Sequence, residues 1–145
     1  MHKNIPAHFD WHAPDLSSIK QDLLSCKSWQ EKYIILIKLA RISPDFPELY
    51  KNASNKIIGC ETDAWLVHYI DTDNDKYYFS ATSNAKITNG IIALTLFHIQ
   101  RLNRSDLLIF DFESLLNSYN IMPYLSPSRS NGILSFFNKI KDIYS

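Results

Sequence analysis

Cys60 is the residue whose type and position best suit chemistry. It lies in the stretch NKIIGCETDAWLV, between two apolar runs and directly after Gly59. A structural cysteine usually lies within an apolar run, where it packs as a small hydrophobic side chain. The break between two runs is instead expected to form a loop, and a thiol on a loop can meet another molecule. The pattern therefore favours Cys60 as a nucleophile.

The thiolate is the reactive form of cysteine, and only a few per cent of a free thiol is ionised at neutral pH. A neighbouring cation raises that fraction, and the candidates are Lys56, nearby in sequence, and Arg129, which only the fold can bring close. The carboxylates of Glu61 and Asp63 oppose ionisation if they face the sulfur.

Other reactive constellations are absent from the sequence. It contains no C-x-x-C, G-x-x-x-x-G-K, H-E-x-x-H or G-x-S-x-G motif, and three glycines cannot supply a dinucleotide-binding loop. Asp71, Asp73 and Asp75 fall in a predicted hairpin turn, where solvated acidic residues are expected. We expect no cofactor and no metal in this chain. A Cys–His hydrolase stays open as an alternative, since five histidines are available.

Composition limits the class of partner. A chain of 145 residues with 46% hydrophobic and 21% charged residues is typical of one globular domain. Fifteen basic and fifteen acidic side chains give a net charge of zero, which does not build the positive field of a nucleic-acid binder. We therefore expect recognition through shape and apolar contact, without nucleic acid.

Two cysteines, Cys26 and Cys60, do not form a disulfide framework. The apolar stretch from Gly90 to Ile99 is too short to span a bilayer, and the first residues lack the apolar core of a secretory signal. A reducing cytoplasm is therefore expected, with no membrane contact. Near the end of a predicted helix, Cys26 is interpreted as structural.

The pattern of elements predicts an α+β fold. Residues 1–15 are polar with two prolines and predict a flexible N-terminal arm, and residues 16–145 predict a single domain. Helical spacing predicts two helices at 17–28 and 29–42 and further helices after residue 83. Between them, runs rich in aromatic and β-branched residues predict a small antiparallel β-meander of about three strands, the runs being KIIG, AWLVHYID and YYFSAT.

Four segments together resemble the SufE/CsdE family of sulfur-acceptor proteins. They are WQEKYIILIKLARISPDFP, IIGCETDAWL, ATSNAKITNGIIALTL and LSPSRSNGI, in the family's order and spacing. The resemblance covers nearly the whole chain from Ser17, and the three glycines Gly59, Gly90 and Gly132 fall on family glycine positions. It implies a SufE-like domain.

The resemblance also implies a function. Family members dock on a cysteine desulfurase whose pyridoxal phosphate belongs to that partner. Carried over, Cys60 would take the terminal sulfur of the desulfurase's persulfide, then pass it to an iron–sulfur cluster scaffold or another acceptor. A loop cysteine can reach into a partner's active site and withdraw to shelter its persulfide, so we expect Cys60 to be partly sheltered in the free protein.

Supporting residues follow from the same resemblance. Trp65 would begin the strand that anchors the Cys60 loop, next to Gly59. Arg129, Asn131 and Gly132 match the family's Arg-x-Asn-Gly turn and would support the loop. The chain departs from the family at Lys32, where arginine is frequent, and at Thr82, where an acidic residue is frequent.

Two other functions remain open at this point. One is a thiol redox protein that uses Cys26 and Cys60 as attacking and resolving cysteines, which requires their Cα atoms to lie within about 7 Å. The other is an allosteric partner of the desulfurase that carries no sulfur. The sequence permits a monomer or a weak homodimer.

Overall fold

The computed structural model describes residues 5–145. The helices are α1 (Leu16–Leu24), α2 (Trp29–Ile42), α3 (Lys86–Ile99), α4 (Arg104–Ile109), α5 (Phe112–Ser118) and α6 (Pro127–Tyr144). The strands are β1 (Ala64–Asp71) and β2 (Lys76–Ser83). Short 3₁₀ turns occupy Glu48–Tyr50, Ala53–Asn55 and Met122–Tyr124. None of the helices in this part of the chain is long and apolar enough to span a bilayer.

The sheet in the described residues is a single antiparallel hairpin. β1 and β2 pair from Ala64 with Ser83 to Asp71 with Lys76, so a short polar turn joins them. The predicted α+β class is confirmed, and the predicted strand AWLVHYID coincides with β1. The expectation of about three strands is wrong.

The run KIIG fails to become the third strand. Lys56 forms one isolated antiparallel bridge with Trp65, and Ile57 donates its N–H to the Ala64 carbonyl at 2.8 Å. The chain then turns away at Gly59, whose φ of +102° is incompatible with a strand. Ile57 is buried because it enters the core, which explains the apolar pattern without a strand.

The core is centred on α3, which has ten of its fourteen residues buried. It packs between the sheet and α2, and its lack of a polar face reflects contacts on all sides. Gly90 permits this packing, because a Cβ atom there would lie 2.5 Å from the main-chain oxygen of Leu36. The α2 helix begins and ends where the sequence predicts, with Ser28 accepting a hydrogen bond from the Glu31 N–H as its N-cap.

The segment SPSRSNG is helical rather than a turn. Ser126 caps α6 by accepting a hydrogen bond from the Arg129 N–H, and Pro127 occupies the first helical position. Arg129, Asn131 and Gly132 therefore lie in the first two turns of α6. The predicted turn is wrong because a serine followed by proline starts a helix here, and glycine continues it.

Residues 5–15 pack against the domain. The Phe9 side chain is buried, and its carbonyl accepts a hydrogen bond from the Gln100 side chain at 2.8 Å. Arg101 donates to the Trp11 carbonyl and forms an ion pair with Asp10. These contacts were not anticipated by the prediction of a flexible arm at 1–15. Residues 1–4 of that arm lie outside the described residues.

Candidate functional site

The Cys60 loop comprises residues 57–63 and is closed at its base. The Lys56–Trp65 bridge and the Ile57–Ala64 hydrogen bond join its two ends. An ion pair between Lys56 Nζ and Asp63 Oδ1 at 2.8 Å adds a third link. The loop is therefore held at its ends, while Cys60 lies near its middle.

The loop runs antiparallel to one face of α6. The helix residues that it meets are spaced four, three and four positions apart, which places them on one stripe. From the loop base onward, the contacts pair Lys56 with Lys139, Gly59 with Ser135, Cys60 with Gly132 and Glu61 with Ser128. One stripe of a single helix thus contacts the loop from its base to Glu61.

Gly59 permits the closest approach to this stripe. Its φ of +102° lies in a region that side chains disfavour, and a Cβ atom at this position would overlap the Ser135 Oγ. On either side of the glycine, Lys139 donates to the Lys56 carbonyl at 3.2 Å and Ser128 donates to the Glu61 carboxylate at 2.9 Å.

Cys60 is half-buried, and its thiol donates to the Gly132 carbonyl at 3.5 Å. Burial raises the pKa of the Cys60 thiol above its ordinary value. Neither Lys56 nor Arg129 offsets this effect. Lys56 is paired with Asp63, and burial is the cause of the raised pKa of Cys60. In this conformation Cys60 is held as the neutral thiol at neutral pH.

A cavity of about 30 Å³ adjoins the Cys60 side chain. That volume admits roughly one water-sized group. Its other lining residues come from the loop, the start of α3 and the start of α6, and they are Glu61, Thr62, Ala85, Thr88, Ser128, Arg129 and Gly132. The cavity can therefore hold one additional atom on the sulfur without displacing the core.

The structure brings most of the predicted support residues near the loop. Trp65 is the second residue of β1, is largely buried, and joins the loop base through its bridge with Lys56. Gly132 contacts Cys60, and Arg129 lines the cavity. Asn131 is not brought to the cavity; it is exposed on α6, beside the stripe that meets the loop.

Sequence reasoning missed Ser128, Ser135 and Lys139. All three contact the loop from the α6 stripe. Once α6 is extended back to Pro127, the spacing of these three polar residues with Gly132 would have indicated a shared face. The predicted turn over this segment concealed that periodicity.

Cys26 is not part of this site. Its thiol donates to the Asp22 carbonyl at 3.2 Å and faces a shallow depression between α1 and α2. Burial and the Glu31 carboxylate raise the pKa of the Cys26 thiol. Both cysteines are free, and their cavities share no residue of the described part of the chain.

None of the four histidines in residues 5–145 lines the Cys60 cavity. His98 hydrogen-bonds the Tyr119 hydroxyl at 2.8 Å, as expected for a structural histidine. His68 is an exposed residue of β1. The geometry gives no support to a Cys–His hydrolase.

Comparisons with known proteins agree with the resemblance seen in the sequence. Residues 17–144 match the model of the SufE family, described as an Fe-S metabolism associated domain. A protein of Wigglesworthia glossinidia brevipalpis named cysteine desulfuration protein SufE is 36% identical over 81% of each chain. An uncharacterized SufE-like protein of Rhizobium meliloti is 27% identical over 87% of this chain and 91% of its own. The chain belongs to the SufE family.

Proposed function

We propose that this chain is a sulfur-acceptor protein that takes sulfur from a cysteine desulfurase onto Cys60. The observation that carries the proposal is the placement of Cys60 on a loop, beside a cavity with room for about one more atom. The name of the Wigglesworthia relative, a cysteine desulfuration protein, supports the same role. The pyridoxal phosphate of the reaction belongs to the desulfurase.

The transfer is an exchange at sulfur without net oxidation. The Cys60 thiolate, after loss of its proton to solvent, attacks the terminal sulfur of a persulfide on the desulfurase's cysteine. A new bond forms between Cys60 Sγ and that sulfur, the sulfur–sulfur bond in the partner breaks, and the partner's cysteine leaves as thiolate. The desulfurase is then free for another turnover, which is how this protein stimulates it.

The loop has to move for this step to occur. In the resting conformation the thiol faces the Gly132 carbonyl, and burial keeps it protonated. Two hydrogen bonds, at Glu61 and at Lys56, join the loop and its base to α6. Both are at least partly exposed, so each opposes opening by about 1 kcal/mol. Outward movement exposes the sulfur and removes the cause of its raised pKa.

On return, the cavity beside Cys60 receives the added sulfur. Arg129 lines this cavity, and its guanidinium is the cationic group that we propose pairs with the added sulfur. A persulfide is anionic more readily than a thiol, so this cation favours the loaded state. The sheltered sulfur is then delivered to an iron–sulfur cluster scaffold or another acceptor.

Intact-protein mass spectrometry after incubation with the desulfurase and free cysteine, without reductant, tests this function. We expect a gain of one or more sulfur atoms on Cys60 that a reductant removes. Cys60→Ser should abolish both the gain and the stimulation of the desulfurase, whereas the matched Cys26→Ser variant should retain both. Full stimulation by Cys60→Ser would instead identify a partner that carries no sulfur.

A further inference from the structure

The two outer edges of the β1–β2 hairpin differ in how they are covered. At the β2 edge, Tyr77 donates to the Leu102 carbonyl and accepts from the Arg101 N–H, both at 2.9 Å. The Phe79 N–H is satisfied by the side chain of Gln100, also at 2.9 Å. The chain after α3 thus occupies this edge.

Within the described part of the chain, the β1 edge is covered only at its start. Ala64 accepts from Ile57 there, so its carbonyl points away from β2. Main-chain groups alternate in direction along a strand, and those of His68 and Ile70 therefore point outward as well. The strand register supports this direction. His68 pairs with Phe79 and Ile70 pairs with Tyr77, and the main-chain groups of Phe79 and Tyr77 point to the outer edge of β2. Among residues 5–145, none bonds to the outward groups of His68 or Ile70.

A groove of about 680 Å³ runs beside this open edge. Phe9 and Tyr50 form part of one wall, and the C-terminal half of α6 contributes Lys139, Asp142 and Ile143. The exposed side chain of His68 lies between them. The groove therefore combines side-chain walls with main-chain donors and acceptors that are paired by no residue from 5 to 145.

We propose that this groove binds an extended segment of the cysteine desulfurase, which adds to β1 as a further strand. The choice of partner rests on the proposed function. Unpaired strand groups are matched by another main chain, the mode known as β-augmentation. The chain already uses this edge in the same way, since its own segment at Lys56 and Ile57 pairs with the start of β1. The edge from Leu66 to Ile70 spans about 13 Å, enough for about four or five residues.

The shape of the groove favours a single strand over a second copy of this protein. A second copy would have to bring its own β1 into the groove together with the Phe9 and α6 residues that line it. Side chains of an added strand point alternately to its two faces. We expect apolar or aromatic residues opposite Phe9 and Tyr50, and polar residues opposite Lys139 and Asp142.

The position of the groove relates it to Cys60. Lys139 lines the groove and also holds the Lys56 carbonyl at the base of the Cys60 loop. It lies seven positions after Gly132, a distance of about 10 Å along α6. A segment docked here would hold the desulfurase beside the loop while Cys60 reaches into its active site.

The His68→Pro variant tests this docking mode. Proline removes the outward N–H and fills the edge without touching the β1–β2 ladder, whose hydrogen bonds lie on the other side. His68→Thr is the matched control, because it changes the side chain and keeps the N–H. We expect His68→Pro to raise the dissociation constant for the desulfurase by about tenfold or more, with little change for His68→Thr. Equal binding by a folded His68→Pro variant overturns the proposal.

Amide hydrogen exchange on the wild-type protein gives a second readout that needs no variant. The N–H groups of His68 and Ile70 should exchange rapidly in the free protein and become protected when the desulfurase is added. Unchanged exchange overturns the proposal, as does protection that appears with rising concentration of this protein alone, which indicates a second copy. Protection of these N–H groups without sulfur on Cys60 would reject the transfer function and retain the docking site. Sulfur transfer to Cys60 without protection would reject the docking site and retain the transfer function.

Discussion

The thiol of Cys60 faces the carbonyl oxygen of Gly132, 3.5 Å away in the second turn of α6. A carbonyl accepts a proton donor and repels an anion, so this contact favours the neutral thiol. The approach to the N-terminal part of a helix therefore does not activate the sulfur, because the group it meets is an acceptor rather than a free N–H. The resting geometry keeps Cys60 unreactive, and reactivity depends on displacing the loop.

Alkylation of Cys60 should be slow at neutral pH and should accelerate only above the ordinary thiol range. Burial raises the pKa of this thiol, so the thiolate fraction at pH 7 is below that of a free cysteine. The rate of iodoacetamide labelling as a function of pH, followed by mass spectrometry, measures this. Addition of the desulfurase should increase the rate, and equal rates with and without it would contradict a sheltered loop.

The same shift makes stability depend on pH. A thiol with a raised pKa in the folded state contributes its stabilisation fully below the unfolded pKa, near 8.5 for cysteine, and loses it as pH rises through the folded value. Part of the decline in unfolding free energy above about pH 8.5 should therefore disappear in Cys60→Ser. Urea unfolding at several pH values, compared between the two proteins, tests this prediction.

Ser128→Ala should loosen the loop. It removes the hydrogen bond from Ser128 to the Glu61 carboxylate, which is exposed and contributes about 1 kcal/mol. The loop should open more often, and Cys60 alkylation should quicken by about three- to tenfold. Asn131→Ala is the matched control, because this neighbour on α6 is exposed and lines no part of the cavity. Equal acceleration by both variants would exclude a specific role for the Ser128 contact.

Gly59→Ala should destabilise the closed loop in two separable ways. The positive φ penalises any side chain, and the new Cβ would overlap Ser135 Oγ. We expect a loss of about 1–3 kcal/mol in the free energy of unfolding, or a persistently open loop with rapid alkylation. Adding Ser135→Gly should relieve the overlap but not the strain in φ. Full recovery in the double variant would show that the backbone conformation contributes nothing.

Arg129→Ala should affect the loaded state and not the resting thiol. Burial, and no charge from Arg129, accounts for the raised pKa of Cys60, so the pH midpoint of alkylation should stay unchanged. The persulfide should be lost to reductant or cyanide several-fold faster, because the cavity then lacks its cation. Arg129→Lys, which keeps the charge, should retain much of the protection. A shifted alkylation midpoint in Arg129→Ala would show that this cation acts on the thiol directly.

Local patterns in the sequence determined α2 and the loop cysteine. Ser28 before an amphipathic run starts α2 where it was predicted, and Gly59 next to Cys60 marked the break between apolar runs. These features depend on neighbours within a few residues, through caps, helical spacing and the conformational freedom of glycine. The same patterns, taken together in order, carried the resemblance to the SufE family.

The tertiary structure alone decided which residues surround Cys60. Ile57 looked like part of a strand, yet its burial comes from core packing, and within residues 5–145 no strand pairs with the β1 edge beyond Trp65. Gly132 and Ser128 are some seventy residues away along the chain. No local pattern encodes such a separation, because side-chain contacts at this range depend on how α6 packs against α3 and α4. The pKa of Cys60 follows from that packing and could not be predicted from its sequence neighbours.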